Sequence, residues 1–358
     1  MSLIQPLPDG PLDIVGDIHG EVDALRHLLQ HLGYNQQGEH PEGRTLVFVG
    51  DFCDRGPDSP AVLALARQLV QSGRALAVLG NHEINLLRED PKDGSGWFFD
   101  ARLARDQERY APFSRPTATE RSEIGEFLSG LPIGLERPDL RVIHAAWQEP
   151  QIGAIRPLPL GSVRAEYDQW ETLGQEEARR NRLADRMAAE LLEWPHGLEN
   201  NEHRPPFLQA HGEYEASKQM FNPLKVLTSG VEAMGTSTFF AGGKWRFVQR
   251  VPWWNTYTDS TPVVIGHYWR RLRPPETGAR GNELFEHTSP LAWHGARGNV
   301  FCVDYSVGGR WTARKKGTPV GTEFKLAALR WPERVLQLDD GSSFETENFG
   351  QPASLPSI

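Results

Sequence analysis

Several short apolar segments of this chain end directly in clusters of acidic, histidine or asparagine side chains, most of them flanked by glycine. In α/β sheets, ligands gather beyond the carboxyl ends of the strands, so side chains that follow separate strands can meet in one place. The pattern therefore predicts an α/β fold with one polar site at the strand ends. The clusters are GDIHG at 16–20, GDFCDRG at 50–56, GNHE at 80–83, His144, and Gly266-His267.

The N-terminal part of the chain alternates between short apolar runs and helical patterns, which favours strand-helix-strand units and a largely parallel arrangement. Apolar residues recur at helical spacing from 22 to 32, and Gly33 after them is typical of a helix end. A second helix is predicted from the capping residue Asp58, through Ser59-Pro60, to about Val70. Strands are predicted at 12–15, 46–49, 75–79, 140–143, 263–265 and 300–303, with a closing hairpin at 325–330 and 335–338.

The middle of the chain has a different pattern. Residues 88–137 are mixed and polar, and they predict helical and loop structure that covers the sheets. Residues 151–243 lack strand alternation, and apolar residues from 183 to 194 mark one amphipathic helix there. We therefore expect a single catalytic domain over 1–358, interrupted by a largely helical cap insertion at about 150–245.

Length, charge and cysteine content limit the cellular compartment and the kinds of binding partner that are expected. With 358 residues the chain can bury a large core without disulfides, and Cys53 and Cys302, which form no CxxC pair, indicate a reducing compartment. A formal net charge of −9 disfavours an extended nucleic-acid surface, although bound metal ions can still attract a small anion. The sequence shows no secretory or membrane-spanning segment. We expect a soluble, cytoplasmic protein that does not bind a membrane.

The clustered side chains offer carboxylate and amide oxygens together with imidazole nitrogens. This mixture suits Mn, Fe or Zn better than Ca, which prefers oxygen ligands alone. The number of donors implies two divalent ions, which in two-metal hydrolases lie about 3.5–4 Å apart and share a bridging carboxylate. Asp51 is the candidate bridge, and Mn is the favoured metal.

The motifs GDIHG, GDFCDRG and GNHE and two later histidines occur in an order that resembles the calcineurin-like metallophosphoesterases of the phosphoprotein-phosphatase type. The resemblance implies a four-layer α/β sandwich, in which two central sheets are flanked by helices. It also implies attack on phosphorus by a hydroxide that bridges the two metals. The implied ligands of one metal are Asp17, His19 and Asp51, and those of the second are Asp51, Asn81, His144 and His267.

Three further roles follow from the same resemblance. His82 is expected to protonate the leaving oxygen, and Asp54 to orient His82. Arg55 is expected to hold the phosphate. These roles are chemically reasonable, because a carboxylate partner keeps an imidazole charged and aimed, and a guanidinium matches the geometry of phosphate.

A narrower resemblance covers more of the chain. Residues 40–63, HPEGRTLVFVGDFCDRGPDSPAVL, are similar to bacterial diadenosine-tetraphosphatase-like proteins and to the phosphatase module of bacterial polynucleotide kinase-phosphatases. Segments around Arg250 and Asp304 are also similar to these relatives. By that similarity Arg250 is a second phosphate ligand and Asp304 an active-site carboxylate near the metals. The sequence departs from the pattern after His267, where Tyr268-Trp269 replace a Thr-Pro pair, and after His144, which Ala145-Ala146-Trp147 follow in place of the usual Gly.

The resemblance favours a dinucleoside polyphosphate or another nucleotide as the small phosphorylated substrate. A phosphorylated protein side chain, as in a serine/threonine protein phosphatase, and a polynucleotide end are alternatives. A catalytically dead binding module on the same scaffold is another, but its usual mark, the loss of metal ligands, is absent from the sequence.

Some polar and aromatic residues have more than one interpretation. Cys53 is interpreted as a small buried residue rather than a nucleophile, because no dedicated base is next to it in sequence. His287 and His294 are interpreted as solvated or locally bonded loop histidines rather than an extra metal site. For four tryptophans, stacking on a nucleobase and ordinary core packing fit the sequence equally well. They are Trp245, Trp253, Trp254 and Trp269.

Overall fold

The secondary structure comes from a computed structural model, which describes residues 1–241, 243–273, 283–285 and 288–352. The strands of these residues are β1 (Ile4–Pro6), β2 (Leu12–Val15), β3 (Thr45–Phe48), β4 (Ala75–Ala77), β5 (Gly134–Arg137), β6 (Leu140–Ile143), β7 (Glu232–Ala241), β8 (Lys244–Arg250), β9 (Val263–Ile265), β10 (Val300–Cys302), β11 (Ala327–Trp331), β12 (Val335–Leu338) and β13 (Ser343–Glu345).

The α-helices of the described residues lie between these strands. They are α1 (Val22–Leu32), α2 (Ser59–Gln71), α3 (Asn81–Leu87), α4 (Asp100–Tyr110), α5 (Ala118–Ser129), α6 (Glu149–Ile155), α7 (Val163–Arg180), α8 (Leu183–Glu193), α9 (Gln209–Phe221), α10 (Pro223–Ser229) and α11 (Arg310–Lys316). The predicted ends of the first two helices are confirmed. Gly33 ends α1 in the left-handed conformation, and the Asp58 side chain caps α2 by accepting from the Ala61 N–H.

The strands form two large sheets and one hairpin. The first sheet has the order β13-β12-β11-β2-β3-β4, the second has the order β1-β5-β6-β9-β10, and β7 pairs with β8. The strands that precede the polar clusters are parallel neighbours, with β2-β3-β4 in one sheet and β6-β9-β10 in the other. Parallel neighbours have their carboxyl ends at the same edge of a sheet, so this topology brings the clusters together.

The two large sheets pack face to face. Leu12, Ile14 and Val47 from the first sheet and Val142 and Val264 from the second belong to one buried apolar cluster. Residues of the same strands that point the other way pack in a second cluster with the helices. The predicted α/β class, with two sheets flanked by helices, is confirmed.

Several strands were not predicted, and one of them, β7, lies in the segment 151–243 that lacks strand alternation in sequence. That strand reads EAMGTSTFFA, in which small and polar residues dominate, and only one of its residues is buried, so it lacks the alternation of a half-buried strand. The other strands that were not predicted are β1, β5 and β13, which have only three or four residues, and β8, which carries charged residues. The parallel arrangement expected for the N-terminal strands is confirmed for β2, β3 and β4, and the predicted closing hairpin is β11 and β12. Antiparallel pairs also join β2 to β11, β5 to β6, β7 to β8 and β12 to β13.

Residues 149–250 contain α6 to α10 and the β7-β8 hairpin. This segment holds two small apolar clusters of its own, one around Ala178, Leu183 and Ala210 and one around Trp245 and Phe247. The expected amphipathic helix is α8, which ends one residue before Trp194. The assignment of the segment at about 150–245 as a cap stays a prediction. Within the part of the chain that the structure describes, no helix combines the length and apolar character of a membrane span.

A buried charged group fixes the central strand of the first sheet. The Asp13 carboxylate on β2 accepts from Arg44 Nε at 2.9 Å, from the Tyr34 hydroxyl at 2.8 Å and from Arg330 Nε at 3.2 Å. The Arg44 guanidinium also reaches Glu333 Oε1 at 2.7 Å. These contacts join the chain before β3 to the turn between β11 and β12, so they hold the sheet that carries three of the polar clusters.

We expect Arg44→Met to lower the free energy of unfolding by about 3–5 kcal/mol, because it leaves a buried carboxylate without its main partner. Urea unfolding monitored by circular dichroism measures this change. Arg26→Met is the matched control, since Arg26 and Asp23 form an exposed pair and its loss should change the free energy by less than about 0.5 kcal/mol. A loss below about 1 kcal/mol for Arg44→Met would contradict the assigned role of the network.

Candidate metal centre

The Asp51 carboxylate lies at the centre of the converging clusters. Its Oδ2 atom is 3.8 Å from Nε2 of His19, 3.8 Å from Nε2 of His82 and 3.4 Å from Nε2 of His144. Asp51 follows β3, whereas His144 follows β6 of the other sheet. The parallel strand ends of both sheets therefore deliver nitrogen donors to one carboxylate.

Two of these histidines are held by backbone carbonyl groups. His19 Nδ1 donates to the Cys53 carbonyl at 2.9 Å, and His144 Nδ1 donates to the Val49 carbonyl at 2.8 Å. A donating Nδ1 fixes the orientation of the ring and directs Nε2 toward a ligand, which is the usual arrangement of metal-binding histidines. Both rings are almost completely buried.

The other predicted metal ligands lie in the same place. Asp17 Oδ2 is 4.0 Å from His19 Nε2, and Asn81 Oδ1 is 3.3 Å from His144 Nε2. One donor atom each of Asp51, His144 and His267 lies within 4.8 Å of the others. A second group of the same kind contains His19, Asp51 and His82. Asp51 is common to both groups, and the structure brings all six predicted ligands together.

The donors fit divalent metal ions. His267 Nε2 is buried and has no hydrogen-bond partner among the described residues, so a donor atom points into the site without a protein group to satisfy it. A Cβ atom on Gly80 would lie 2.2 Å from Asp51 Oδ1, and one on Gly266 would lie 2.1 Å from Asp17 Oδ1. Glycine is therefore required where the backbone approaches these carboxylates.

The pKa values show how burial and neighbouring charges compete at the centre. Burial and the nearby Asp304 carboxylate raise the pKa of Asp17 well above its usual value. Burial would also raise the pKa of Asp51, but the surrounding histidines, His144 first, outweigh it and hold this pKa well below its usual value. The pKa of His144 rises to about 10, because Asp51 outweighs the effect of burial on the ring. A cation would stabilise the charged form of Asp17.

Glu83 holds two of the polar loops in register. Its carboxylate accepts from the backbone N–H groups of Asp51 at 2.8 Å, Phe52 at 2.8 Å and Gly80 at 3.0 Å. Glu83 lies in the first turn of α3 and is fully buried. Sequence reasoning placed Glu83 in the GNHE motif but gave it no role, because its acceptor function depends on how two loops meet.

The backbone of the site adopts rare conformations. Positive φ angles occur at His19 (47°), Asp51 (51°), Asp54 (74°), Arg55 (67°) and His267 (71°). Non-glycine residues in the left-handed region are uncommon and tend to occur at functional sites, where the surrounding structure holds them. The clustering at predicted site residues supports the location of the site.

A hydrogen-bonded chain leads into the site from α3. His82 Nδ1 donates to Asp54 Oδ2 at 2.5 Å, and Trp97 Nε1 donates to Asp54 Oδ1 at 2.6 Å. Burial lowers the pKa of His82, but Asp51 and Asp54 outweigh it, so this pKa lies above its usual value. No sequence signal indicated Trp97, which lies far from the motifs along the chain.

Arg55 lies beside the same histidines. Its Nη1 lies 2.9 Å from His19 Nε2, and its Nη2 lies 3.2 Å from His82 Nε2. The predicted phosphate-binding residue is therefore next to a predicted metal ligand and the predicted acid. The guanidinium also lies over the Trp269 ring, 5.1 Å from its centroid.

The two remaining predicted residues lie at the edge of the centre. Arg250 is exposed at the end of β8, and its guanidinium lies 5.7 Å from the centroid of the Tyr268 ring. Asp304 is buried, and its two oxygens accept from the backbone N–H groups of Trp269 and Ser306 at 2.8 Å and 2.7 Å. Neither residue belongs to the donor groups around Asp51.

The structure also places the residues that had alternative interpretations. Cys53 is fully buried, and burial with the neighbouring Asp54 raises the pKa of its thiol, as expected for an unreactive cysteine. Trp245, Trp253 and Trp254 are buried, which favours core packing for them, whereas Trp269 is half-buried at the site. His287 lies outside the described residues. His294 is buried, so its interpretation as a solvated histidine was wrong.

A family model described as calcineurin-like phosphoesterase matches residues 10–223. The chain belongs to this family. The matched span contains GDIHG, GDFCDRG, GNHE and His144, while His267 lies beyond it. The predicted family resemblance is therefore confirmed.

Individual relatives match a smaller part of the chain. Over 79 residues it is 46% identical to the bis(5'-nucleosyl)-tetraphosphatase PrpE of Halalkalibacterium halodurans, and over 79 residues it is 44% identical to PrpE of Bacillus subtilis. Each match covers 21% of this chain and 32% of the relative, so the chain spans about a third of the length of these relatives. A solved cold-active protein-tyrosine phosphatase from a psychrophilic Shewanella is 18% identical, with a TM-score of 0.47 over 96% of this chain and 83% of that one.

We expect Glu83→Gln to weaken Mn²⁺ binding by about 10- to 100-fold, because an amide NH₂ group would face backbone N–H donors and the loop that carries Asp51 would shift. Isothermal titration calorimetry with Mn²⁺ measures the affinity, and circular dichroism checks the fold. Glu123→Gln is the control, since Glu123 lies on α5 in a half-exposed pair with Arg67. Unchanged Mn²⁺ affinity in a folded Glu83→Gln protein would contradict the anchoring role.

Proposed function

We propose that the chain hydrolyses phosphoric esters or anhydrides at a dinuclear centre of divalent metal ions. The observation that carries this proposal is the position of Asp51, which is shared by two groups of donors that converge from the strand ends of both sheets. A carboxylate common to two donor groups is the arrangement that a two-metal hydrolase needs. Membership of the phosphoesterase family supports the reaction class.

The proposed ligands are those that the family resemblance implies, and Asp51, His19, His144 and His267 among them also belong to the two donor groups. Asp17, His19 and Asp51 would hold one ion, and Asp51 with Asn81, His144 and His267 would hold the other. When bound, the ions supply Lewis acidity and lower the pKa of a coordinated water. The mixed oxygen and nitrogen donors suit Mn²⁺ first, with Fe or Zn as alternatives.

Arg55 is proposed to bind the phosphate. Its guanidinium lies beside the donors of the centre, within hydrogen-bond distance of His19 and His82. Among the described residues, no carboxylate lies within ion-pair distance of Arg55, so its charge is available to an anion. A guanidinium can bind a phosphate through two parallel hydrogen bonds, which positions it as well as neutralising charge. Arg250, exposed at the end of β8, is proposed as a second phosphate ligand.

His82 is proposed to donate a proton to the leaving oxygen. Asp54 accepts from Nδ1 and thereby leaves Nε2 to carry the transferred proton. Trp97 fixes Asp54 from the other side, so the pair has a defined orientation. The raised pKa of His82, which Asp51 and Asp54 produce against the effect of burial, favours the protonated form that an acid needs.

The proposed substrate is a dinucleoside polyphosphate or a related nucleotide. The similarity to proteins named bis(5'-nucleosyl)-tetraphosphatase supports this class, although the similar segment covers only a third of their length. Such a substrate carries several phosphates, and its negative charge requires local cations on a chain with a net charge of −9. The proposed ions together with Arg55 and Arg250 would supply them.

Steady-state assays with added Mn²⁺ test this function. We expect hydrolysis of diadenosine tetraphosphate, with a higher kcat/KM than for a serine/threonine phosphopeptide or a 3'-phosphorylated oligonucleotide.

Asp51→Asn should reduce kcat by at least about 10³-fold while the fold persists, because Asn tolerates the positive φ of residue 51 and keeps a similar shape. Absence of hydrolysis in a broad screen of phosphomonoesters, phosphodiesters and nucleotides, or full activity of the Asn variant, would refute the proposal.

The role of His82 predicts a dependence on the leaving group. We expect His82→Ala to reduce kcat by about 10²- to 10⁴-fold for an alkyl phosphate, whose leaving oxygen needs a proton. The loss should be much smaller for 4-nitrophenyl phosphate, whose leaving group departs as an anion. His40→Ala is the control, because His40 bonds the Leu32 carbonyl away from the site. An equal loss for both substrates would exclude a proton-donor role and favour metal binding by His82.

A further inference from the structure

Trp269, two residues after His267, is less buried than the residues on either side of it. Its neighbours Tyr268 and Arg270 are only 3% and 1% exposed, whereas Trp269 is half-buried. The face of its ring lies under the Arg55 guanidinium at 5.1 Å, and its centroid is 6.3 Å from that of the His19 ring. The side chain therefore borders the centre rather than filling the core.

The backbone of Trp269 is held in an unfavourable conformation. Its φ angle is 52°, which a bulky residue rarely adopts without support. Its N–H group donates to Asp304 Oδ2 at 2.8 Å, and Asp304 Oδ1 accepts from the Ser306 N–H at 2.7 Å. Ser306 Oγ then donates to the Arg270 carbonyl at 2.8 Å. Asp304 and Ser306 thus fix the backbone on both sides of the Trp269 side chain.

Arg270, the residue after Trp269, attaches this part of the chain to the loop that contains Ser289 and Ala292. Its Nη2 atom donates to the carbonyl groups of Ser289 and Ala292, each at 2.6 Å. This buried arginine keeps the chain after His267 attached to the following loop. The backbone that carries the Trp269 ring is therefore held by hydrogen bonds on both sides of residue 269.

Arg55 is enclosed between Trp269 and a second loop. The Arg55 N–H donates to the Gly94 carbonyl at 3.3 Å, and a Cβ atom on Gly94 would lie 2.9 Å from Arg55 Cγ. The guanidinium has no carboxylate partner within ion-pair distance among the described residues, so the aromatic face takes the place that an acidic partner often has. An aromatic face holds a guanidinium without neutralising its charge.

We propose that Trp269 is a positioning residue for Arg55, and that Asp304 acts on phosphate binding through Trp269 instead of as a ligand of the metal centre. The inference rests on the proposed function, because it assigns phosphate to Arg55. A guanidinium held on a ring loses less conformational freedom when the anion binds, so the affinity for phosphate rises without a new contact. The Tyr268-Trp269 pair, which replaces Thr-Pro in this chain, supplies the ring.

Inorganic phosphate is the probe for this proposal. We expect Trp269→Ala in the Mn²⁺-loaded protein to weaken phosphate binding by about 3- to 30-fold, measured by calorimetry, and to raise KM by more than it lowers kcat. Trp269→Phe should recover part of the affinity, because a phenyl ring still offers a weaker face to the cation. Asp304→Asn should weaken phosphate binding in the same direction with Mn²⁺ content unchanged.

A double-mutant cycle with Arg55→Ala separates positioning from a general structural effect. If Trp269 acts through Arg55, its removal from the Arg55→Ala protein should change phosphate affinity by less than about 2-fold. Trp170→Ala is the matched control, since Trp170 is a half-buried tryptophan on α7 that contacts Phe221 and not Arg55. Its phosphate affinity should equal that of the wild type.

The proposal is overturned if Trp269→Ala binds phosphate like the wild type, or if its effect is equally large without Arg55. Loss of Mn²⁺ in Asp304→Asn would also overturn it, because that result identifies Asp304 as a support of the metals. A different result would refute the proposed function. Phosphate binding that depends on Trp269 in a protein without hydrolytic activity would refute the function and leave the positioning role intact.

Discussion

The buried carboxylate of Glu83 is the contact on which the geometry of the centre depends. It collects three backbone N–H groups from the loops that follow β3 and β4, and these loops are about thirty residues apart along the chain. Without this acceptor the N–H groups would be buried and unsatisfied, which is unfavourable by about 1–3 kcal/mol for each. The contact sets the distance between Asp51 and the start of α3, and so the distances between Asp51, Asn81 and His82.

Fixed backbone and fixed side chains then reinforce one another. The left-handed backbone conformations at the strand ends are unfavourable in isolation and persist only because the surrounding structure holds them. Carbonyl groups of these loops in turn accept hydrogen bonds from the rings of His19 and His144 and so fix the ring orientations. Burial raises the pKa of Asp17, so the site contains a carboxylate whose charge the protein does not compensate fully. The fold therefore maintains strain and unbalanced charge at one edge of its sheets, while the Asp13 and Arg44 network stabilises the opposite part of the first sheet.

The sequence was sufficient to predict the strand ends and the donors that follow them, because both depend on local signals. Apolar runs, glycine turns and capping residues identified β2, β6, β9, α1 and α2 to within a residue or two. Strands without alternation, such as β7, were missed since their stability comes from pairing and not from a buried face. The contacts of Glu83, Trp97 and Trp269 were also beyond sequence reasoning, because each depends on how distant loops meet. Asp304 was recognised by resemblance, but its bonds to two N–H groups became visible only in the fold.

Arg250 ends the second strand of a hairpin that belongs to a segment with apolar clusters of its own. The donors around Asp51, by contrast, extend from the two large sheets. Substitutions inside the segment can therefore move the arginine at its edge while the imidazole and carboxylate groups stay in place. With Arg250 as the proposed second phosphate ligand, such a division would let substrate preference change in one part of the chain during evolution while the proposed metal ligands are unchanged in another.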